Sequence, residues 1–224
     1  MNLNEEKPGV KKDNFGHDPM DMKQARAFDD TASKVFAPIY PVIARQILDR
    51  PGISGGIALD AGSGPAHLSL ALAQESDLKI FAYDASPMML AVAYEHITEA
   101  ELVRRVIPVL GDIHDIPFED NSIDLIVSRG SWFFWDNLDL AFKEMYRVLT
   151  PGGMAYVGGG FGNAKLKEEI HAAMAKKDPD FSKGVSNRMM RNNPDRIKKE
   201  LEKAEIRTYE LIQDESGFWL IIRK

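Results

Sequence analysis

The sequence predicts an α/β domain, a doubly wound, mainly parallel seven-stranded sheet with a C-terminal antiparallel hairpin. Three observations predict it. Short apolar runs alternate with longer amphipathic ones from residue 56 to residue 158, the pattern of right-handed βαβ units covered on both faces. The last two apolar runs are separated by Glu215-Ser216-Gly217, a connection so short that it joins antiparallel neighbours. The chain has 224 residues, 44% hydrophobic and 28% charged, enough for one elaborated domain with a sizeable core and short of two.

Residues 1–20 are polar, aperiodic and punctuated by glycine and proline, so a flexible tail is expected there, with the domain over 21–224. A helical pattern begins near Asp21 and runs toward Leu48, with interruptions expected at Pro38 and Pro41 and a stop at Pro51-Gly52. Residues 56–60 then read as a strand, 66–74 as a helix, 79–84 as a strand, 87–98 as a helix and 106–111 as a strand. The rhythm continues with a strand over 123–128, a helix over 138–149 and a strand over 154–158. It breaks over 165–205, which reads as a helical insert. Residues 165–176 and 194–204 look helical there, and the polar stretch 178–193 between them is placed to act as a lid. Strands over 207–214 and 218–223 close the chain.

Composition removes several function classes. Cysteine is absent, which excludes disulfides, thiolate metal sites, iron–sulfur clusters and cysteine nucleophiles. No apolar run approaches about 18 residues and the N-terminus is charged, so a cytoplasmic protein without membrane contact is expected. The five histidines (His17, His67, His96, His114, His171) show no metal-ligand spacing, and no metal is expected; His96 and His171 read as surface residues on amphipathic helices. The net charge of −6 is uneven, and seven basic residues face three acidic ones between Lys183 and Lys203. Such a patch suits an anionic ligand, although a solvated helix face explains it equally well. Overall acidity argues against a dedicated nucleic-acid binder.

The chemistry concentrates at strand ends. The first strand leads through Asp60-Ala61-Gly62-Ser63-Gly64-Pro65-Ala66 directly into a helix, a turn in which glycines allow close backbone approach and the helix N-terminus offers free N–H groups. The second strand ends in Asp84, where a carboxylate can accept both hydroxyls of a ribose. The third ends in Gly111-Asp112-Ile113, with a carboxylate for an adenine amino group and a backbone N–H for the ring. A dinucleotide would require glycine where His67 stands, and Asp60 would repel a pyrophosphate. An acid at each of three successive strand ends suits a cationic nucleoside.

Four segments in register carry a resemblance: ALDAGSGPA at 58–66, YDASPMML at 83–90, GDIHDIPFEDNSIDLIVSR at 111–129 and FKEMYRVLTPGGMAYV at 142–157. With the terminal hairpin they resemble the class I S-adenosylmethionine-dependent methyltransferases, whose Rossmann-like fold would cover about residues 30–224. The chain is most similar to small archaeal and bacterial members of unassigned substrate that carry FAPIYP, here 36–41, and GGGFG, here 158–162. The resemblance implies that Asp60, Gly62, Ser63 and Gly64 hold the methionine portion of the cofactor. It implies that Asp84 binds the ribose beside Ala85 and Met89, and that Gly111, Asp112 and Ile113 receive the adenine. Ser128 would face the methionine moiety near the sulfonium. The family often has a third glycine where Ala66 stands.

On the acceptor side, Ser128-Arg129-Gly130-Ser131-Trp132-Phe133-Phe134-Trp135 leaves the fourth strand where ligands of open α/β sheets bind. Arg129 could fix a carboxylate of the cofactor or of the acceptor, and Trp132 and Phe133 could line the pocket, although an aromatic plug against the next helix fits them as well. Phe161, in the glycine-rich exit of the fifth strand, and Tyr40 could close the pocket from opposite sides. No general base stands out, and Ser128-Arg129-Gly130-Ser131 occupies the place of the DPPY-type tetrapeptide of nucleic-acid amino methyltransferases. The reading is therefore transfer of the methyl group of S-adenosylmethionine, by direct in-line displacement, to a small-molecule acceptor. Its rivals are an RNA methyltransferase that uses the basic 183–203 segment and a non-catalytic S-adenosylmethionine-binding sensor or partner subunit. A nicotinamide-dependent oxidoreductase is disfavoured by His67 and Asp60.

Overall fold

A computed structural model describes residues 20–50 and 55–224; the expected tail over 1–19 and the Pro51-Gly52 stop lie outside the described residues. The chain opens with α1 (Met22–Thr31), started by a capping box in which Gln24 N–H donates to Asp21 Oδ1 at 2.8 Å and Asp21 N–H donates to Gln24 Oε1 at 2.9 Å. A π-helical turn, Ala32–Phe36, leads to α2 (Ile39–Leu48). The break falls at Pro38 and not at Pro41. Pro41 lies in the first turn of α2, where its missing N–H would have had no partner within the helix.

Then follow β1 (Ile57–Ala61), α3 (His67–Glu75), β2 (Lys79–Asp84), α4 (Pro87–Glu99), β3 (Val106–Leu110) and β4 (Ile123–Arg129). After a single 3-10 turn at Trp132–Phe134 come α5 (Leu138–Val148), β5 (Leu149–Gly160), α6 (Ala164–Lys177), α7 (Phe181–Arg191), α8 (Pro194–Lys203), β6 (Tyr209–Asp214) and β7 (Gly217–Arg223). The seven strands are ordered β3-β2-β1-β4-β5-β7-β6. β1 to β5 run parallel, and β7 is antiparallel to both β5 and β6. Strand order therefore reverses at β1, between β2 and β4, which opens a crevice beyond the strand ends there.

Alternation along the strands builds two apolar layers. Ala58, Leu125, Val127, Met154, Tyr156, Trp219 and Ile221 face the layer shared with α2 and α3. Leu59, Ile126, Ala155, Val157, Leu220 and Ile222 face the layer shared with α5 and α8. The β3-to-β4 crossover contains no helix and instead buries Ile113 and Ile116 in the second layer. No described helix is long and apolar enough to cross a membrane.

The polar stretch 178–193 contains a helix, α7, which the sequence reading had left without one. The 165–205 segment also divides. α6 and α7 flank an open cavity, whereas α8 buries Ile197 and Leu201 completely in the second layer. Leu201→Ala is therefore expected to cost about 2–5 kcal/mol in chemical denaturation, as for other buried leucines, while leaving affinity for any ligand of the crevice unchanged.

Candidate active site

The turn after β1 owes its shape to three successive left-handed residues, Gly62 (φ 72°), Gly64 (φ 53°) and Ala66 (φ 65°). At Gly62 a side chain would also collide with Ser131. Ala66 adopts a left-handed conformation that glycine takes without strain, at a steric cost of about 1–2 kcal/mol. Gly62 and Ser63 donate their N–H groups to the Tyr83 carbonyl at 2.8 and 3.1 Å, which ties the turn to the end of β2.

Asp84 then receives Gly64 N–H on Oδ2 and Ser86 N–H on Oδ1, both at 2.8 Å. Ser86 in turn caps α4 by accepting from Met89 N–H at 3.3 Å. Burial raises the Asp84 carboxyl above its ordinary value, against the opposing pull of the Ser86, Gly64 and Ala85 N–H groups. Asp60 is deeper: it is fully buried, its Oδ2 accepts the Ser69 hydroxyl at 2.6 Å, and burial pushes it up to about 7, opposed by Ser69 and reinforced by Asp84.

At the third strand end, Asp112 Oδ1 accepts the N–H of His114, whose Nδ1 lies 2.6 Å away, leaving Oδ2 for a ligand. Tyr83 donates its hydroxyl to the Asp112 carbonyl at 2.6 Å, and its ring fills the space that a side chain at Gly111 would need. Ile113 is buried beside it, and Met89 packs under α1 against Ala25 and Val92. Ser63 Oγ and His114 Nε2 are buried without a hydrogen-bond partner among the described residues. Orphaned polar atoms and uncompensated carboxylates at three adjoining strand ends fit a polar nucleoside with a cationic arm.

Ser128 stands elsewhere than expected. Its hydroxyl is fully buried and engaged with Ser131, which donates to the Ala61 carbonyl at 2.9 Å. Its side chain braces the β4 loop against β1. Trp132 also departs from the expected pocket, packing as core against Phe218 with ring centres 5.3 Å apart, because the 3-10 turn directs it inward. Phe133 and Phe134 take the cavity wall in its place.

That cavity adjoins the strand ends and encloses about 650 Å³. Phe28, Phe36 and Tyr40 line it from the N-terminal helices, Arg129 and Phe133 from the β4 loop, and Phe161, His171 and Phe181 from the far side. Arg129 spreads its guanidinium over Phe36 and Tyr40, 5.0 and 5.9 Å from the ring centres. Its hydrogen bonds, 3.2 and 3.4 Å long, both go to the Gly160 carbonyl, and no described carboxylate pairs with it. Burial lowers its pKa from the ordinary arginine value, partly opposed by Tyr40.

The glycine run of β5 serves strand packing. Side chains at Gly158 and Gly160 would collide with the β7 backbone, and one at Gly159 would meet the Phe133 ring. His171 is half-buried and is not the surface residue its helix suggested. Its Nδ1 lies 2.9 Å from the Ser182 hydroxyl, and its Nε2 is buried without a partner. The sequence assigns no site role to Tyr83, Phe28, Ser131, His114 or His171, although His114 beside Asp112 and Ser131 in Ser128-Arg129-Gly130-Ser131 stand next to residues that it does single out.

A family model described as a methyltransferase domain matches residues 59–157. The chain is similar to a protein of Methanococcus maripaludis described as a putative S-adenosyl-L-methionine-dependent methyltransferase, with 43% identity, a TM-score of 0.88 and coverage of 100% of this chain and 97% of that one. It shares the fold of a SAM-dependent methyltransferase from Aquifex aeolicus, with 18% identity, a TM-score of 0.62 and coverage of 91% and 99%. It is 31% identical to the demethylmenaquinone methyltransferase of Chlorobaculum tepidum over 99 residues, 44% of this chain and 38% of that one. The matches span about two-fifths of the length of such curated relatives.

Asp84→Ala and Asp112→Ala are each expected to weaken S-adenosylhomocysteine binding by about 1–3 kcal/mol in calorimetry, the usual cost of leaving a ligand's polar groups unpaired. Asp60 adds a pH dependence. Its folded pKa lies above the unfolded one, so ionising it costs stability, fully so above about 7, and that cost disappears as pH falls toward the ordinary carboxylate value. A cationic ligand needs the ionised form. S-adenosylmethionine affinity should therefore fall by up to about tenfold per pH unit below 7. Asp60→Asn should flatten that profile, weaken binding, and raise Tm above the wild-type value at alkaline pH.

Proposed function

The chain belongs to the class I S-adenosylmethionine-dependent methyltransferases, and from that premise we propose that its acceptor is a small, largely apolar molecule carrying an acidic group. The observation that carries this reading is Arg129, a guanidinium laid on two aromatic faces in a cavity where phenylalanines are joined by Lys167, Arg188 and Asp214, with a backbone carbonyl as its sole hydrogen-bond partner among the described residues. A carboxylate offered to that fork would form charge-assisted hydrogen bonds in a site of low dielectric. The aromatic walls would bury the remainder of the molecule.

S-adenosylmethionine, when bound, would supply an electrophilic methyl group for in-line displacement by the acceptor, with S-adenosylhomocysteine as the leaving product. The residues on either side do the positioning. Asp84 and Asp112 would hold the nucleoside through the oxygen lone pairs left by Gly64, Ser86 and His114, and Asp60 would offer negative charge to the amino-acid arm. Arg129 would fix the acceptor, while Phe28, Phe36, Phe133 and Phe161 keep water out, so that orientation supplies much of the rate. The basic residues of 183–203 support a small acceptor better than an RNA. Arg188 lines the cavity, Arg196 donates to the Arg191 carbonyl at 3.2 Å, and Lys203 pairs with Glu200 at 2.9 Å.

The test is a panel of aromatic and aliphatic acids, each beside its neutral amide, with S-adenosylhomocysteine release as the readout. Acids should turn over and their amides should not. Arg129→Met should raise KM for the acid by roughly 10–100-fold, the worth of a hydrogen bond to a charged group, without changing S-adenosylhomocysteine affinity. Equal turnover of acids and amides would reject the reading. Loss of S-adenosylhomocysteine binding in the variant would assign Arg129 to the cofactor's carboxylate instead.

A further inference from the structure

Away from the strand-end acids, three helices bring together Asp29 of α1, His67 at the first residue of α3 and His96 of α4. One ligand atom from each lies within 4.8 Å of the other two. Asp29 Oδ1 is 2.8 Å from His67 Nε2, and Asp29 Oδ2 is 3.2 Å from His96 Nε2. The three side chains are 13%, 16% and 19% exposed, shielded enough to be held in place and open enough to be reached from water.

The hydrogen bonding behind this cluster decides what it can hold. His96 Nδ1 lies 3.0 Å from the Pro65 carbonyl oxygen, which can only accept, so Nδ1 carries the hydrogen. In the neutral ring Nε2 is then a bare lone pair, and it faces a carboxylate oxygen, a second lone pair. That arrangement calls for a cation between them. His67 is locked between the Tyr40 ring at 5.2 Å and the His96 ring at 4.9 Å, with Nε2 turned to the same carboxylate. A ring N–H anchored on a backbone carbonyl is the outer support that metal-binding histidines use to fix tautomer and direction.

We propose that Asp29, His67 and His96 form a binding site for a single divalent transition-metal ion, with zinc as the best match. Two imidazoles and a carboxylate suit the borderline metals, and three protein ligands leave a fourth position for water. With bonds of about 2.0–2.1 Å, tetrahedral ligands stand roughly 3.3 Å apart, so the His67 contact at 2.8 Å would open by about half an ångström, while the His96 contact at 3.2 Å is already close to that spacing.

The ion would act as a staple and not as a reactant. Phe28, next to Asp29, stands 3.8 Å from the position a Cβ on Gly64 would take, and it also lines the acceptor cavity. Metal bound here pins α1, a wall of that cavity, to the cofactor turn at His67 and to α4 at His96. The Arg26–Glu95 ion pair at 2.5 Å joins α1 and α4 as well, but both side chains are close to half exposed, and such pairs hold little.

The experiment titrates chelator-stripped full-length protein with zinc chloride by calorimetry and with cobalt(II) by visible absorption. We expect saturation at a single equivalent, cobalt bands of a histidine-containing site, and a higher Tm with zinc. Asp29→Asn and His96→Gln, which keep bulk and polarity, should each weaken zinc by more than about tenfold with circular dichroism unchanged. Arg26→Ala, which cuts the neighbouring ion pair of the same helix, should leave zinc affinity intact. Absence of saturable binding by the wild-type protein would overturn the proposal, the cluster then holding a proton. Zinc binding that survives both ligand substitutions would overturn it equally.

Discussion

A buried carboxylate, Asp60, and a half-buried one, Asp84, stand at neighbouring strand ends with no cation of the described chain against either, and they set the terms for the rest of the molecule. Asp60 has the Ser69 hydroxyl and Asp84 has backbone N–H groups, and that is less than the solvation each gives up. The sheet order makes this arrangement unavoidable. Reversal at β1 places the ends of β1 and β2 side by side at the mouth of the crevice, and any charge on them shares one small volume of low dielectric. The opposite imbalance stands a short way off, where Arg129 lies on aromatic rings without an anion. On the proposed reading the site is two unfinished charge pairs, negative on the cofactor side and positive on the acceptor side. Each disfavours the empty protein and favours the complex.

The division extends to how the two halves are built. The cofactor half is mostly main chain: the N–H groups of Gly62, Ser63 and Gly64 are spent on β2, and the turn they fold into decides where the Asp84 oxygens point. The acceptor half is side chain, contributed by segments far apart in the sequence. Its roof is the N-terminal helical arm, and the π-helical turn at Ala32–Phe36 widens the arm just where Phe36 must reach across to Arg129. That arm meets α4 through the exposed Arg26–Glu95 pair and α6 through Lys177, which donates to Thr31 Oγ1 at 2.8 Å. The floor is the glycine run of β5, flat because β7 lies too close for any side chain at Gly158 or Gly160.

The two halves were unequally legible in the sequence for the same reason. Strand alternation and the strand-end acids are local features, so the sequence bounds β2 to the residue and places Asp84 and Asp112 at the ends of β2 and β3. The acceptor wall depends on long-range convergence. Four consecutive aromatics gave no way to tell that a 3-10 turn sends Trp132 inward and Phe133 outward. Helix α7 hid in a polar stretch, although Phe181, Val185 and Met189 recur every fourth residue on the side that meets the cavity. The Asp29, His67 and His96 cluster had no sequence signal at all, since its members sit on three separate helices and spacing rules describe ligands on one element or one turn.

An unfinished pair on each side also bears on catalysis. A methyl cation equivalent passing from a sulfonium to an anion destroys charge on both partners, and such a reaction runs faster where neither partner is solvated by water. The aromatic walls around Arg129 exclude water from the acceptor, and the buried acids exclude it from the far side of the cofactor. The guanidinium sets a limit on this help, because an anion held too tightly loses its nucleophilicity. Arg129 is suited to that compromise: its charge is shared with the Phe36 and Tyr40 faces and with the Gly160 carbonyl, so it can orient an acidic group without claiming the whole of its charge. An acceptor that brought its own anionic oxygen to this site would need no general base, which fits a cavity lined by Arg129, Lys167 and Arg188 with Asp214 as the carboxylate among its described lining.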